Sequence, residues 1–151
     1  MLTFQIRRAS EVDIRLVAEM FDGYRQFYGQ VANYALAEAF LRDRFANNDS
    51  ALFLAVEPQT GQGLGFVQLY PSFSSVAARR IWILNDLFVV PKMRRKGVGR
   101  ALLDAARNFA ASTSAIRLVL STAVTNHEAR TLYESFGFKK DDVFLVYRLD
   151  L

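Results

Sequence analysis

A run of basic residues and two glycines follows a strand-like apolar stretch in FVVPKMRRKGVGRALL. Glycine permits the positive φ angles and the close backbone approach that such a turn needs. Unpaired N–H groups at a helix start attract anions, so a phosphate placed there gains hydrogen bonds and charge complementarity. The junction predicts a pyrophosphate cradle; a solvated basic loop that only makes the turn is the alternative. The residues concerned are Lys92, Arg94, Arg95, Lys96, Gly97, Val98, Gly99 and Arg100.

Two common phosphate-binding motifs do not fit this junction. The chain contains no G-x-x-x-x-G-K-[ST] string, which is the P-loop signature. A dinucleotide fingerprint needs a third glycine or alanine where this chain has Leu102. It also needs an acidic residue near Val119, and the sequence has none there. The predicted cradle therefore suits a phosphate ligand of another kind.

The elements that position this junction follow from the hydrophobic pattern. Apolar runs and alternation predict strands, and apolar residues at i, i+3, i+4 and i+7 predict helices. The predicted strands are Phe4–Ala9, 51–57 (ALFLAVE), 63–70 (GLGFVQLY), Arg80–Val90, 115–122 (AIRLVLST) and 143–149 (VFLVYRL). The predicted helices follow Ser10, span Tyr34–Ala46, begin after Gly99 and span 125–136 (TNHEARTLYESF). The order β-α-α-β-β-β-α-β-α-β predicts one α/β domain over residues 1–151 with a mixed sheet.

Local signals add expected helix ends and faces. Gly23 is expected to break or bend the first helix, and Gly137 to end the last one in a left-handed conformation. Thr125 and Glu128 form a capping-box pattern at the start of that last helix, with Asn126 as a competing N-cap. The residues expected to face inward from the second helix are Leu36, Phe40 and Leu41.

Composition excludes several classes of function. The 151 residues are 52% hydrophobic, enough for a sizeable core, and the absence of cysteine excludes disulfides, thiolate metal sites and a cysteine nucleophile. No apolar run approaches the ~20 residues of a membrane span, and the N-terminus lacks the order of a signal peptide. A cytoplasmic location is therefore expected, without a membrane partner. The pI of about 9.6 favours an anionic partner.

Two further classes of site find no support in the residue pattern. The basic run lacks interleaved aromatic residues and any nucleic-acid-binding motif, so no nucleic-acid partner is predicted. His127 is the only histidine, and no cluster of His, Asp and Glu has the spacing of metal ligands. No metal is predicted, and His127 is expected to be a polar surface residue.

Two motifs resemble the GNAT family of N-acetyltransferases. The string R-R-K-G-V-G is similar to the family pattern Arg/Gln-x-x-Gly-x-Gly/Ala, although Arg95 stands where many members carry a further glycine. One strand later, NHEARTLYESFGF is similar to N-x-x-A-x-x-L-Y-x-x-x-G-F at every fixed position. Those positions are Asn126, Ala129, Leu132, Tyr133, Gly137 and Phe138. The element order agrees over the whole chain.

This resemblance implies a fold and an activity. It implies a single domain with about four helices around a sheet whose central strands splay apart. It implies that the basic loop holds the pyrophosphate of acetyl-CoA, and that an acetyl group passes directly to a primary amine. The pantetheine arm of the cofactor is expected along Leu87, Phe88 and Val89, with a contact to Asn126. Family members often dimerise, so a homodimer is expected, with the last predicted strand at its interface.

Candidate catalytic groups are few. Tyr133 matches the position of the family's general acid, which protonates the departing thiolate; its helical spacing also suits a core aromatic residue. ILNDLFV resembles the LEDhhV run of diamine acetyltransferases, in which h is apolar and the glutamate is a candidate base. Asn85 replaces that glutamate, so Asp86 is the only carboxylate in the run. Asp86 is expected to accept a proton directly, to bind the amine, to orient a water or to pair with an arginine.

The acceptor is expected between two aromatic stretches, YRQFYGQ and YPSFSS, where Tyr24, Tyr28 and Tyr70 suit a cationic amine. Asn85 and Asp86 complete this predicted acceptor side, and Glu38 is a further carboxylate that could recognise charge. A small-molecule amine is the leading acceptor. A protein or peptide acetyltransferase and a non-catalytic acyl-CoA-binding regulator remain the alternatives.

Overall fold

The structure is a computed structural model that describes residues 3–151. These residues form two compact units, the first ending at Ser121 and the second covering Thr122–Leu151. The first unit contains strands β1 (Gln5–Arg8), β2 (Ala51–Val56), β3 (Gly63–Ser74), β4 (Arg79–Val89) and β5 (Leu118–Val119). Its helices are α1 (Ile14–Phe27), α2 (Tyr34–Asn47) and α3 (Val98–Ser112). The second unit contains α4 (His127–Phe136).

The five strands form one sheet in the order β1-β2-β3-β4-β5. The first three pairings are antiparallel, and β4 and β5 are parallel, so the sheet is mixed as predicted. Among the described residues, β5 pairs with β4 only through Trp82↔Leu118 and Ile83↔Val119. The rest of β4 continues to Val89 beside β3 alone. This is the splay that the resemblance to the GNAT family implies.

Helices pack on both faces of the sheet because successive strand residues point to opposite sides. On one face, Phe21 of α1 packs edge-on against Phe66 of β3, with ring centroids 6.2 Å apart. On the other, the Phe109 ring of α3 lies 5.0 Å from the Trp82 ring of β4. The sheet is thus covered on both sides, and polar groups buried beneath α1 are shielded from water.

Two expectations for the first helices are wrong. Helix α1 continues through Gly23, because the missing side chain makes room for Phe88: a Cβ there would lie 3.3 Å from the Phe88 ring. Helix α2 buries Leu41, as predicted, together with Ala37 one turn before it, whereas Leu36 is half exposed. Phe40 is also partly exposed, although its ring stacks on Phe21 at 5.4 Å.

The predicted last strand is also wrong. Residues 143–149 have no regular structure, and all their apolar side chains are exposed. The Asp141 side chain accepts hydrogen bonds from the N–H groups of Val143 and Phe144, at 2.8 and 3.0 Å. Such local bonds compete with a strand ladder for the same backbone donors. The strand predicted at 115–122 is likewise reduced to the two residues of β5.

Candidate active site

The basic loop leads into α3 through two left-handed residues. Gly97 has a positive φ of 87°, as predicted; it is the N-cap of the helix, and no side chain supplies a capping hydrogen bond there. A Cβ placed on Gly97 would find nothing within 4 Å, so space lies open above the backbone. Arg95 occupies φ 60° where many family members carry glycine. Gly99 differs from expectation, since it lies in the first turn of α3.

The basic side chains of this loop divide into two groups. Arg94 is partly buried: its Nε donates to the Val89 carbonyl at 3.0 Å, and its guanidinium lies 5.7 Å from the Phe27 ring and 5.8 Å from the Phe88 ring. Val98 is buried and offers only its backbone. The exposed cations are Lys92, Arg95, Lys96 and Arg100. The loop thus joins an uncapped helix start to a surface of positive charge, which suits a phosphate group.

The C-terminal half of β4 presents a free edge within the first unit. The Val90 N–H donates toward β3, to the Leu64 carbonyl at 3.0 Å. Backbone groups alternate in direction along a strand, so the amides of Leu87 and Val89 face the free edge and that of Phe88 faces β3. The free edge therefore offers N–H groups to an extended ligand.

A buried carboxylate lies under α1. Asp86 on β4 is 1% exposed, and it accepts hydrogen bonds from Gln68 Nε2 at 2.6 Å and from Asn85 Nδ2 at 2.7 Å. Burial raises the pKa of Asp86 above its ordinary value, and hydrogen bonds from Asn85, Gln68 and Tyr24 partly oppose that rise. Asp86 therefore takes up a proton more readily than an exposed carboxylate.

A β-bulge creates this arrangement. Gln68 pairs with Asp86, but the next residue of β3, Leu69, pairs with Leu84. Asn85 is the extra residue on β4, and it is exposed. Bulges redirect side chains and often adjoin active sites. Here the bulge turns Asn85 outward while Asp86 stays inside.

Aromatic residues extend from the carboxylate toward the surface. Tyr24 is partly buried, and its hydroxyl lies 3.1 Å from the Asn85 carbonyl oxygen. Its ring meets the exposed Tyr28 edge-on at 5.0 Å. Tyr70, on β3, is partly buried, and burial together with the charge of Asp86 raises its pKa. The first unit thus brings Tyr24, Asn85 and Asp86 together, with Tyr28 and Tyr70 beside them.

The second unit carries the other motif. Asn126 is the N-cap of α4, its Oδ1 accepting the Ala129 N–H at 3.4 Å, so the predicted capping box at Thr125 is wrong. Gly137 ends the helix at φ 120°, as predicted. Tyr133 is partly buried, and its ring packs edge-on at 5.8 Å against Phe138.

The Acetyltransferase (GNAT) family model matches residues 17–138. The chain belongs to the GNAT acetyltransferase family. It is similar to the Bacillus subtilis N-acetyltransferase YhfO, with 46% identity over 146 residues, 97% of each chain. It also resembles a probable acetyltransferase of known crystal structure, with a TM-score of 0.92, 39% identity and 97% of both chains covered. The aminoglycoside N(6')-acetyltransferase type 1 of Klebsiella aerogenes is 32% identical over 91 residues, 59% of each chain.

Membership of the GNAT family confirms the predicted fold class and the predicted class of enzyme. The mixed sheet and its helices are those of a GNAT acetyltransferase. The protein is therefore an acetyltransferase that uses acetyl-CoA. Within residues 3–151, no three His, Asp or Glu side chains come together as a metal site, and no helix there is long and apolar enough to cross a membrane.

One buried polar residue of this GNAT domain escaped the sequence analysis. Gln68 lies in GLGFVQLY, whose apolar run predicts a strand and no function for the glutamine. A lone glutamine inside a continuous apolar run is the available signal, because buried polar groups need partners. Its pairing with Asp86 depends on strand register, which the sequence does not specify directly.

Proposed function

We propose that this GNAT enzyme transfers acetyl from acetyl-CoA directly to the primary amine of a small molecule. The buried carboxylate of Asp86, linked to the surface through Tyr24, is the observation that carries this proposal. A bound amine beside Tyr24 would have a proton acceptor within reach, as direct attack on a thioester requires. A cytoplasmic location and a small-molecule partner are part of the same proposal.

Acetyl-CoA supplies the acetyl group as a reactive thioester, and this chain supplies its binding site. The backbone N–H groups at the start of α3 would bind the pyrophosphate, with Arg95, Lys96 and Arg100 adding positive charge. The free-edge amides of Leu87 and Val89 would pair with the pantetheine arm and polarise the thioester carbonyl. Asn126 would add a hydrogen bond from its Nδ2 group.

Gly97→Ala is expected to weaken acetyl-CoA binding at least ~10-fold, about 1.4 kcal/mol. The new methyl group would enter the open space above the loop, where we place the pyrophosphate, and would strain a residue held at φ 87°. Isothermal titration calorimetry with acetyl-CoA measures the change. Gly61→Ala is the matched control, because Gly61 also has positive φ (73°) and open space but lies in a turn before β3. Equal affinities for the wild type and both variants would remove the cradle from the proposal.

The attacking amine must lose a proton, and Asp86 is its proposed destination. An alkylammonium has an ordinary pKa of about 10.4 and an aspartate of about 3.9, so the transfer is uphill by ~9 kcal/mol. Burial raises the pKa of Asp86 and lowers this cost. The amine would give its proton to the Tyr24 oxygen while the Tyr24 hydroxyl proton passes to Asp86. The freed nitrogen lone pair would then form the amide bond as the carbon–sulfur bond breaks.

Tyr133 would supply the proton that the leaving CoA thiolate takes up. A phenol has an ordinary pKa of about 10 and a thiol of about 8.5, so the transfer is only mildly uphill within a shared hydrogen bond. The match to the GNAT motif supports this role for Tyr133. Its position one turn before the end of α4, in a partly buried setting, leaves part of the ring accessible.

The proposed acceptor side is formed by Tyr24, Tyr28, Tyr70 and Asn85. The Tyr28 ring is about half exposed, and aromatic faces attract ammonium groups. The related Klebsiella enzyme is named for acetylation of aminoglycosides, which are amines of small size. These observations favour a small amine over a peptide, whose contacts would spread along a groove.

Tyr28→Ala is expected to raise the apparent KM for the amine ~5- to 30-fold and to leave that for acetyl-CoA nearly unchanged. The loss is that of a partly desolvated cation–π contact, about 1–2 kcal/mol. Steady-state rates should be measured with 1,4-diaminobutane, tyramine or neamine, whichever is acetylated fastest, while both substrates are varied.

Phe73→Ala is the control for Tyr28→Ala, because Phe73, although it shares the YPSFSS stretch with Tyr70, lies three residues further along β3 and therefore on the opposite face of the sheet. Phe73 is an exposed aromatic residue at the far end of β3, under the Arg80 guanidinium and about 17 Å along the strand from Gln68. Equal damage to both KM values, or to neither, would contradict the placement of the amine beside Tyr28.

We also propose a homodimer. The exposed apolar side chains of residues 143–149 are the surface that supports it, because large exposed apolar patches commonly mark interfaces. Light scattering after size exclusion measures the mass directly, and a single-chain mass at micromolar concentration would exclude a stable dimer.

A further inference from the structure

Gln68 has a polar group that the fold leaves unsatisfied. The residue is 0% exposed at the centre of β3, directly opposite Asp86 in the register of β3 and β4. Its Nε2 donates to Asp86 Oδ2 at 2.6 Å. Its Oε1 is buried and has no hydrogen-bond partner. One half of the carboxamide is therefore committed to Asp86, and the other half lacks a donor.

An unsatisfied buried acceptor is costly. It loses its hydrogen bonds to water on folding and gains none in return. Methionine or leucine would fill this position in the apolar strand without that cost. Packing alone therefore does not explain a glutamine at this position. The hydrogen bond of its side chain to Asp86 indicates that its role concerns that carboxyl group.

A primary carboxamide can bond a carboxyl group in either protonation state. Its NH₂ group donates to a carboxylate, and after a half-turn of the amide its oxygen accepts from a carboxylic acid. We propose that Gln68 is the positioning residue of Asp86, holding its carboxyl group in one orientation before and after it takes up a proton. The unsatisfied Oε1 is the acceptor required for the second state. This inference rests on the proposed base role of Asp86.

Other groups around Asp86 do not duplicate this role. Tyr24 faces it from α1, Tyr70 from β3, and the neighbouring Asn85 from the bulge of β4. Asn85 is exposed, so water competes for its amide. The charges of Arg44 and Asp49 act on Tyr70 from the end of α2. Of the three groups that donate to Asp86, namely Tyr24, Asn85 and Gln68, Gln68 alone is fully shielded from solvent.

The test follows the titration of Asp86 itself and needs no acceptor. Protein labelled with ¹³C-aspartate is titrated by NMR, and the Asp86 carboxyl signal is assigned by its loss in Asp86→Asn. Gln68→Met removes the donor to the carboxylate at nearly constant volume. The bond of Gln68 to the carboxylate is charge-assisted and stronger than the bond that its oxygen would accept from the neutral acid. The loss of both should therefore move the titration midpoint to higher pH, with the protonated-to-ionised ratio at the wild-type midpoint rising ~5- to 10-fold. Leu69→Met, at the adjacent buried position on β3, is the packing control and should leave the midpoint in place.

A measurement on the wild type covers the case in which Gln68→Met does not fold. The side-chain ¹⁵N and ¹H signals of Gln68 should shift with the same midpoint as the Asp86 carboxyl, because the amide turns from donor to acceptor as Asp86 gains its proton. The inference would be overturned if the Gln68 signals did not change with pH around the Asp86 midpoint. It would also be overturned if Gln68→Met and Leu69→Met had the same Asp86 midpoint.

The outcome for Gln68 is separable from that for the proposed function. An unchanged midpoint together with an inactive Asp86→Asn enzyme would overturn the role of Gln68 alone. A shifted midpoint together with a fully active Asp86→Asn enzyme would overturn the base role of Asp86. The hydrogen bonding of Gln68 to the Asp86 carboxyl group would still be supported.

Discussion

Asp86→Asn is expected to lower kcat by ~10²- to 10⁴-fold, the usual contribution of a positioned general base. Asparagine is close to aspartate in shape but cannot accept the amine's proton. The KM for acetyl-CoA should change little, because we place Asp86 on the acceptor side. Steady-state kinetics at saturating acetyl-CoA give the value. A large rise in amine KM at unchanged kcat would instead assign Asp86 to binding of the ammonium group.

The pH dependence of Asp86 provides a second readout. Only the carboxylate accepts a proton, so wild-type kcat/KM should rise with pH through the raised pKa of Asp86, and Asp86→Asn should lose this limb. Stability changes in the opposite sense. The native state binds this proton more tightly than the unfolded chain, so the contribution of Asp86 is greatest below the unfolded pKa of about 3.9 and is lost as pH rises through the folded pKa. The unfolding temperature of Asp86→Asn should therefore rise relative to that of the wild type as pH rises.

A buried carboxylate on another element controls for loss of charge. Asp13 is also buried, but it pairs with Arg7 at 2.7 Å beside β1. Asp13→Asn should lower thermal stability while leaving kcat near the wild-type value well below the unfolding temperature. Equal loss of kcat in the two variants would mean that Asp86 acts through folding.

Tyr133→Phe is expected to lower kcat by ~10- to 10³-fold with little change in acetyl-CoA affinity. The change removes one hydroxyl group, the proposed proton donor to the CoA thiolate, and preserves the edge-on packing against Phe138. Rapid-mixing rates of free-thiol release isolate this step from product dissociation.

Tyr147→Phe removes a hydroxyl from an exposed tyrosine of the same unit and should have no effect. A second check is the acyl donor. If Tyr133 protonates the leaving thiolate, a donor with a more acidic thiol should recover much of the lost rate, because a better leaving group needs less help. Wild-type turnover by Tyr133→Phe would return Tyr133 to a packing role.

Local motifs made much of this protein predictable from sequence. Gly97 and the basic loop lie within one turn of the start of α3, so residue type and spacing determine the turn, the positive φ and the open helix end. Arg95 stands where many family members carry glycine, and it has φ 60°, in the left-handed region that favours glycine. The family motif in α4 was likewise contained in one short segment.

Features that depend on strand register could not be predicted. Asp86 was a candidate by residue type, but its burial follows from the bulge at Asn85, and its partner Gln68 lies on another strand. The alternation of residues 143–149 suits a half-buried strand, yet alternation does not provide the neighbour that a strand must pair with. Sequence pattern states which residues can share a face, and long-range pairing decides which of them meet.

The most direct test of the central claim is a product analysis in one mixture. The protein is incubated with acetyl-CoA, 1,4-diaminobutane, tyramine, neamine and a lysine-containing peptide at equal concentrations, and all products are identified by mass spectrometry. The wild type should give an N-acetylated small amine, formed only with acetyl-CoA, and Asp86→Asn should give far less. Acetylation of the peptide alone, or binding of acetyl-CoA without any acetylated product, would contradict a small-amine acetyltransferase.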